Sequence, residues 1–127
     1  MVKGLSATQR TLRALREQGR VADIVERRIP KGPHLPFGLG KDFLGIIDII
    51  ALDPEHGVVG IQSCSQTFSE HYKKMTVEIG EMSLAWIRTP GTRLELWEWR
   101  KLKYKRGGKL MVWTPRIHVF TEEDFHE

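Results

Sequence analysis

Two short runs rich in isoleucine and valine, residues 46–52 and 58–64 of GIIDIIALDPEHGVVGIQSCS, are separated by the polar turn sequence DPEHG. Runs this short and this rich in β-branched side chains, bounded by turn residues, fit strands buried on both faces. Closing them as an antiparallel hairpin with Asp53 opposite Gly57 sets Asp48 opposite Gln62. Directly opposed side chains share a face, and Cys64 shares it too because strand side chains alternate. A bulge at Gly57 would slip this register by one residue.

A carboxylate in the middle of IIDII is expensive to bury without a cation, hydrogen-bond donors or a metal. The alternative is an Asp48 half exposed at a sheet end, or one held by donors from the preceding loop. Before the hairpin, Ser6 can cap a helix over residues 7–18 carrying Leu12 and Leu15, with Gln18-Gly19 as its stop. RVADIVERR at 20–28 fits a strand, and the loop at 30–41 holds three prolines and three glycines. After the hairpin, Ser65–Ser69 offers capping chemistry for a helix from Glu70 to Gly80. EMSLAWIRT fits a second short helix ending at Pro90-Gly91. RLELWEWRKLKYKR and LMVWTPRIHVF then fit a hairpin turned at Gly107-Gly108, with Pro115 confining the last strand to an edge or a bulge.

A chain of 127 residues with 40% hydrophobic and 28% charged residues has the balance of one soluble domain. No apolar run approaches the roughly 20 residues of a membrane helix, and MVKGLSATQR lacks the apolar centre of a secretory signal. A single cysteine makes no internal disulfide, and a cytoplasmic location is expected. The net charge of +4 is unevenly spread: RKLKYKR at 100–106 and Lys109 are basic, whereas TEEDFHE closes the sequence with acids. Cations beside Trp97, Trp99, Tyr104 and Trp113 suit a polyanion surface, and a solubilising exposed hairpin is the plainer alternative.

Gly45 and Asp48 in GIIDIIA, Gln62 in VVGIQSC and a helix beginning near Glu70 together resemble the PD-(D/E)xK nuclease superfamily. The likeness covers roughly residues 7–88 and is nearest the Mrr-type and Holliday-junction-resolvase-like branches, in which Gln can replace the acid of the second motif. It implies an α/β fold with a restriction-endonuclease-like core, a mixed central sheet flanked by helices, to which the C-terminal basic hairpin is added. It further implies a DNA-binding endonuclease using Mg²⁺ or Mn²⁺, structure-selective in the resolvase-like branches and working as a homodimer. The family's lysine should stand at position 64, where this chain has Cys64, and a thiol supplies no fixed positive charge. Lys73 or Lys74 on the following helix, or Lys41, could replace it; otherwise the fold is a catalytically inactive nucleic-acid-binding module.

Hydrolysis of a phosphodiester by a hard divalent ion needs oxygen ligands. Asp48 offers a carboxylate, Gln62 an amide oxygen and Ser63 a backbone carbonyl. A second acid would come from Glu26, on the strand before the loop, in preference to Asp42. Lys41, Lys73, Lys74, Arg100, Lys101, Lys103, Lys105, Arg106 and Lys109 are expected to meet phosphates rather than bases. Cys64 with His71 makes a poor thiol enzyme because a mid-strand cysteine is usually inert packing. The histidines show no zinc spacing, and GLG at 38–40 is too short to cradle phosphate. Met75, Ile79, Leu84, Trp86, Trp97 and Trp99 are expected in the core, with a base-stacking platform as the lesser alternative for the last two.

Overall fold

The computed structural model describes residues 4–34 and 39–125, so Leu35–Gly38 of the proline-rich loop lie outside the described residues. Helix α1 (Ala7–Glu17) opens with a capping box in which the Gln9 N–H donates to Ser6 Oγ and the Ser6 N–H to Gln9 Oε1. Its inner face carries Leu15, Thr11, Leu12 and Ala14 onto one side of a five-stranded sheet.

The sheet runs β1 (Val21–Ile24), β4 (Ile49–Asp53), β5 (Gly57–Ser65), β6 (Thr92–Lys103) and β7 (Met111–Val119) in that spatial order. All neighbours are antiparallel except β5 and β6. Parallel pairing requires a crossover, supplied here by α2 (Phe68–Lys73), a π-helical turn (Lys74–Glu78) and α3 (Gly80–Ile87). These helices cover the face opposite α1, where Ile46, Ile47, Cys64, Met75, Leu94 and Leu96 form a second core cluster. The result is an α/β architecture with a mixed sheet flanked by helices. No helix among the described residues is long and apolar enough to cross a membrane.

The β4–β5 register is the expected one, from Asp53 opposite Gly57 to Ile49 opposite Ile61, without a bulge. Asp48 precedes β4 in a bend where that register ends: its N–H donates to the carbonyl of Ile61, already the partner of Ile49, at 2.9 Å, while its own carbonyl faces β1. Four local expectations need correction. The strand at 20–28 is two strands: β1 ends at Ile24, and β2 (Arg27–Ile29) leaves the main sheet to pair with β3 (Leu39–Lys41), inside the loop expected to be irregular. Glu26 lies in the break between them and is on no strand. Gly80 does not end a helix but begins α3, where an added Cβ would lie 3.7 Å from the Phe125 ring. Residues 104–110 connect β6 to β7 as a longer loop, not a two-residue turn at Gly107-Gly108.

Pro115 sits on β7, which is an edge strand and so tolerates a missing N–H; it pairs with Trp99 in unbroken register. The first turn of α2 gets no side-chain cap from Thr67. The Glu98 carboxylate takes that role from the neighbouring strand, accepting the Phe68 N–H at 3.2 Å.

Candidate functional site

Asp48 reaches its place through a tight loop. The Phe43 and Ile47 backbones bond to each other, and Leu44 and Gly45 turn the chain at φ +56° and +76°. Glycine suits position 45 for two reasons: the positive φ, and an Ile79 methyl only 3.3 Å from where a Cβ would stand. The loop delivers Asp48 to the sheet between β1 and β5, with the Val25 N–H donating to the Asp48 carbonyl at 2.9 Å.

The Asp48 side chain is 3% exposed and Gln62 4%. One carboxylate oxygen, Oδ2, accepts the Ser63 N–H at 3.0 Å, Gln62 Nε2 at 3.1 Å and Thr8 Oγ1 at 3.5 Å. The other, Oδ1, has no donor, and neither does Gln62 Oε1, although both atoms are buried. Burial pushes the Asp48 carboxyl up to about 7; the Ser63 N–H opposes this, while the charges of Asp42 and Glu26 reinforce it. Two buried oxygens without donors, on side chains that bond to each other through Gln62 Nε2 and Asp48 Oδ2, are short of positive charge. A hard divalent cation, which takes oxygen ligands, fits that deficit.

Glu26 and Asp42 therefore both come near enough for their charges to act on Asp48. Glu26 is held there because Val25 pairs with Asp48, and its carboxylate folds over Gly40, where a Cβ would lie 2.5 Å from Glu26 Oε1. These acids do not close into a tight cluster with Asp48. Among the described residues, three potential ligand side chains converge within 4.8 Å at one place, Asp53, Glu55 and His56 in the β4–β5 turn. That grouping holds a single histidine, so no histidine spacing in the sequence marks it. Its aspartate is already engaged: Oδ1 accepts the Glu55 N–H at 2.8 Å, and Oδ2 meets His56 Nδ1 at 3.1 Å and Arg20 at 3.2 Å. His56 foremost, with the Glu55 N–H, holds the Asp53 carboxyl down to about 2.

Cys64 lies on the Asp48 side of β5, within reach of the charges of Asp48 and Glu98, and burial raises its thiol pKa. It is a packed thiol with no fixed positive charge to offer Asp48. Ser63 contributes its N–H to Asp48, while its hydroxyl turns to the opposite face and donates to Thr11 at 2.7 Å. Lys73, the exposed last residue of α2, and Lys74, half-buried beside Glu70, His71 and Glu78, make no hydrogen bond to Asp48. Thr8, absent from the sequence expectations, does.

The remaining cations divide. Lys41 is exposed on β3 beside Asp42. Arg100 is half-buried and turned toward Glu98 at 3.6 Å, and Lys101 lies over the Trp113 ring at 5.4 Å. Lys103, Lys105, Arg106 and Lys109 are exposed at and beyond the end of β6. Trp97 and Trp99 are core, their indole N–H groups donating to Glu95 and Thr11 at 2.8 Å each, so neither is a stacking platform. No family model matches the chain, and no curated protein or solved structure matches it either.

Proposed function

We propose that the protein is a divalent-cation-dependent endonuclease acting on DNA, with Asp48 and Gln62 as the metal-holding pair. The observation that carries this reading is the pair of buried, donorless oxygens, Asp48 Oδ1 and Gln62 Oε1. The chain order gives further support: a capped helix, the β1–β4–β5 meander and a helical crossover into parallel β6 agree with a restriction-endonuclease-like core. When bound, Mg²⁺ or Mn²⁺ supplies polarisation of the phosphate and a more acidic water. The chain's own residues do the rest. The Ser63 N–H, the Gln62 amide and the Thr8 hydroxyl all hold Oδ2, which fixes the carboxylate so that Oδ1 faces the cation. Glu26 and Asp42 add negative charge that draws the cation in. Lys41, Lys73 or Lys74 supplies the positive charge that Cys64 does not, and the exposed cations of 101–109 track phosphates.

Cys64 itself favours a second reading, a nuclease-like module that binds nucleic acid without cutting it. The two part in one experiment. Mn²⁺ titration by calorimetry is run on wild type and Asp48→Ala, alongside cleavage of duplex, flap and four-way-junction DNA. A nuclease binds Mn²⁺ and cuts, and Asp48→Ala loses both while retaining DNA binding. Retained DNA binding with no cutting by the wild-type protein assigns the inactive module. Absence of Mn²⁺ binding to the wild-type protein overturns the metal-holding pair. Sedimentation in the same buffer tests the homodimer, in which each copy would serve one strand.

A further inference from the structure

The surface opens into a groove of about 750 Å³ whose lining combines the apolar Phe43, Leu44 and Met82 with the cations Arg27 and Lys41. We propose that this groove takes one unpaired nucleotide of the DNA strand entering the Asp48–Gln62 site. Its base lies against Phe43, Leu44 and Met82, and its phosphate lies between Arg27 and Lys41. The assignment rests on the nuclease reading, since it names what that site would engage.

Three independent features point there. Arg27 and Lys41 are directly opposed across β2 and β3, an arrangement in which like charges repel unless an anion sits between them. Both are exposed, and among the described residues neither forms an ion pair. A phosphate is complementary to that pair. Second, the apolar walls are displayed rather than buried: Phe43 is 43%, Leu44 45% and Met82 43% exposed. The chain also holds Leu44 in the left-handed region at φ +56° to display it, a conformation that leucine resists. Phe43 is steadied edge-on against Trp86 with ring centroids 6.3 Å apart, leaving an aromatic surface at the groove. Third, Val25 lines the groove and donates its N–H to the Asp48 carbonyl at 2.9 Å, so the groove lies against the chain that carries Asp48. The volume is in the range of a small-ligand site and suits a base with its sugar phosphate.

The test compares a labelled duplex carrying one unpaired 2-aminopurine with its fully paired counterpart, with Ca²⁺ in place of Mg²⁺. Wild type is expected to bind the unpaired duplex about tenfold more tightly, as one stacked base allows, and to quench the 2-aminopurine. Leu44→Gly relieves the positive φ while removing a wall, so the protein stays folded and the preference falls to about twofold. Arg27→Gln with Lys41→Gln weakens binding of both duplexes alike and lowers the salt dependence by about one phosphate. Equal affinity for the two duplexes with unchanged emission overturns the groove assignment and leaves the nuclease reading standing. A preference that survives Leu44→Gly overturns it too, as does a dimer that this variant abolishes, which would give the groove to a second copy. Failure to bind either duplex overturns both proposals.

Discussion

At the scale of single residues, Asp48 holds its proton more tightly in the folded chain than in the unfolded one, about 7 against an ordinary 3.8. Between those values the folded state binds the extra proton. The associated stability is therefore complete below about pH 4 and is lost as pH rises through 7. Asp48→Asn escapes that loss and is expected to be more stable than wild type by roughly 2–4 kcal/mol at about pH 8, with the gap closing toward about pH 4. Denaturant melts across that range in the absence of divalent ions check it, and millimolar Mg²⁺ should raise the melting temperature of wild type only. Cys64 makes a complementary case. Cys64→Lys would set an ammonium beside Asp48 and Glu98, lowering the Asp48 carboxyl and, on the nuclease reading, raising cleavage at least about tenfold by stabilising developing charge. An unchanged rate in a folded variant would show that the missing charge is not what limits the reaction.

At the scale of elements, the buried polar link between α1 and the sheet centres on the Thr11 hydroxyl. Thr11 Oγ1 donates to the Ala7 carbonyl at 3.0 Å and accepts from Ser63 Oγ at 2.7 Å and Trp99 Nε1 at 2.8 Å, the last two out of solvent. Thr11→Val preserves shape but strands two buried donors, an expected loss of about 2–4 kcal/mol in urea denaturation; Thr11→Ser should recover most of it. The connection to function is direct: α1 carries Thr8 to Asp48, and Ser63 touches Asp48 with its N–H and Thr11 with its hydroxyl. Loosening the helix should thus weaken Mn²⁺ binding along with stability, which calorimetry on Thr11→Val would register.

For the whole molecule, the C-terminal segment is bound back onto the crossover helices. Asp124 accepts Tyr72 Oη and meets His118 Nε2, each at 2.8 Å, and takes the Thr121 N–H at 2.7 Å. Around them Tyr72 stacks on Phe120, and His118 stands edge-on to it at 4.9 Å. Burial opposes the Asp124 charge, but the Thr121 N–H, Tyr72 and His118 outweigh it and lower the carboxyl below its ordinary value. A lowered folded value contributes stability above the unfolded pKa and loses it as pH falls. Asp124→Asn should cost roughly 1–2 kcal/mol at about pH 7 and nothing in strong acid, read from thermal melts at the two pH values. The tail and its anchors belong to different elements, so that lock closes only in the assembled fold.

What could be read along the chain was what neighbouring residues decide. The β4–β5 register from Asp53 to Ile49 followed from the length of DPEHG and the alternation of strand side chains; Asp48 lies one residue past it, in a bend from which its carboxylate still meets Gln62. The first helix followed from Ser6 and the spacing of its leucines, and the burial of Trp97 and Trp99 from their shared face. Tertiary structure decided the rest, because it depends on groups remote in sequence. Pairing of β2 with β3 drew the chain off the main sheet and left Glu26 between two strands; β3 emerged from a proline-rich loop only because β2 lay beside it; Glu98, thirty residues away, capped α2 where local hydroxyls were expected to. The donors on Asp48 Oδ2 and the missing donor on Oδ1 belong to that second class. Whether a buried oxygen finds a proton depends on everything packed around it, and no local pattern records that.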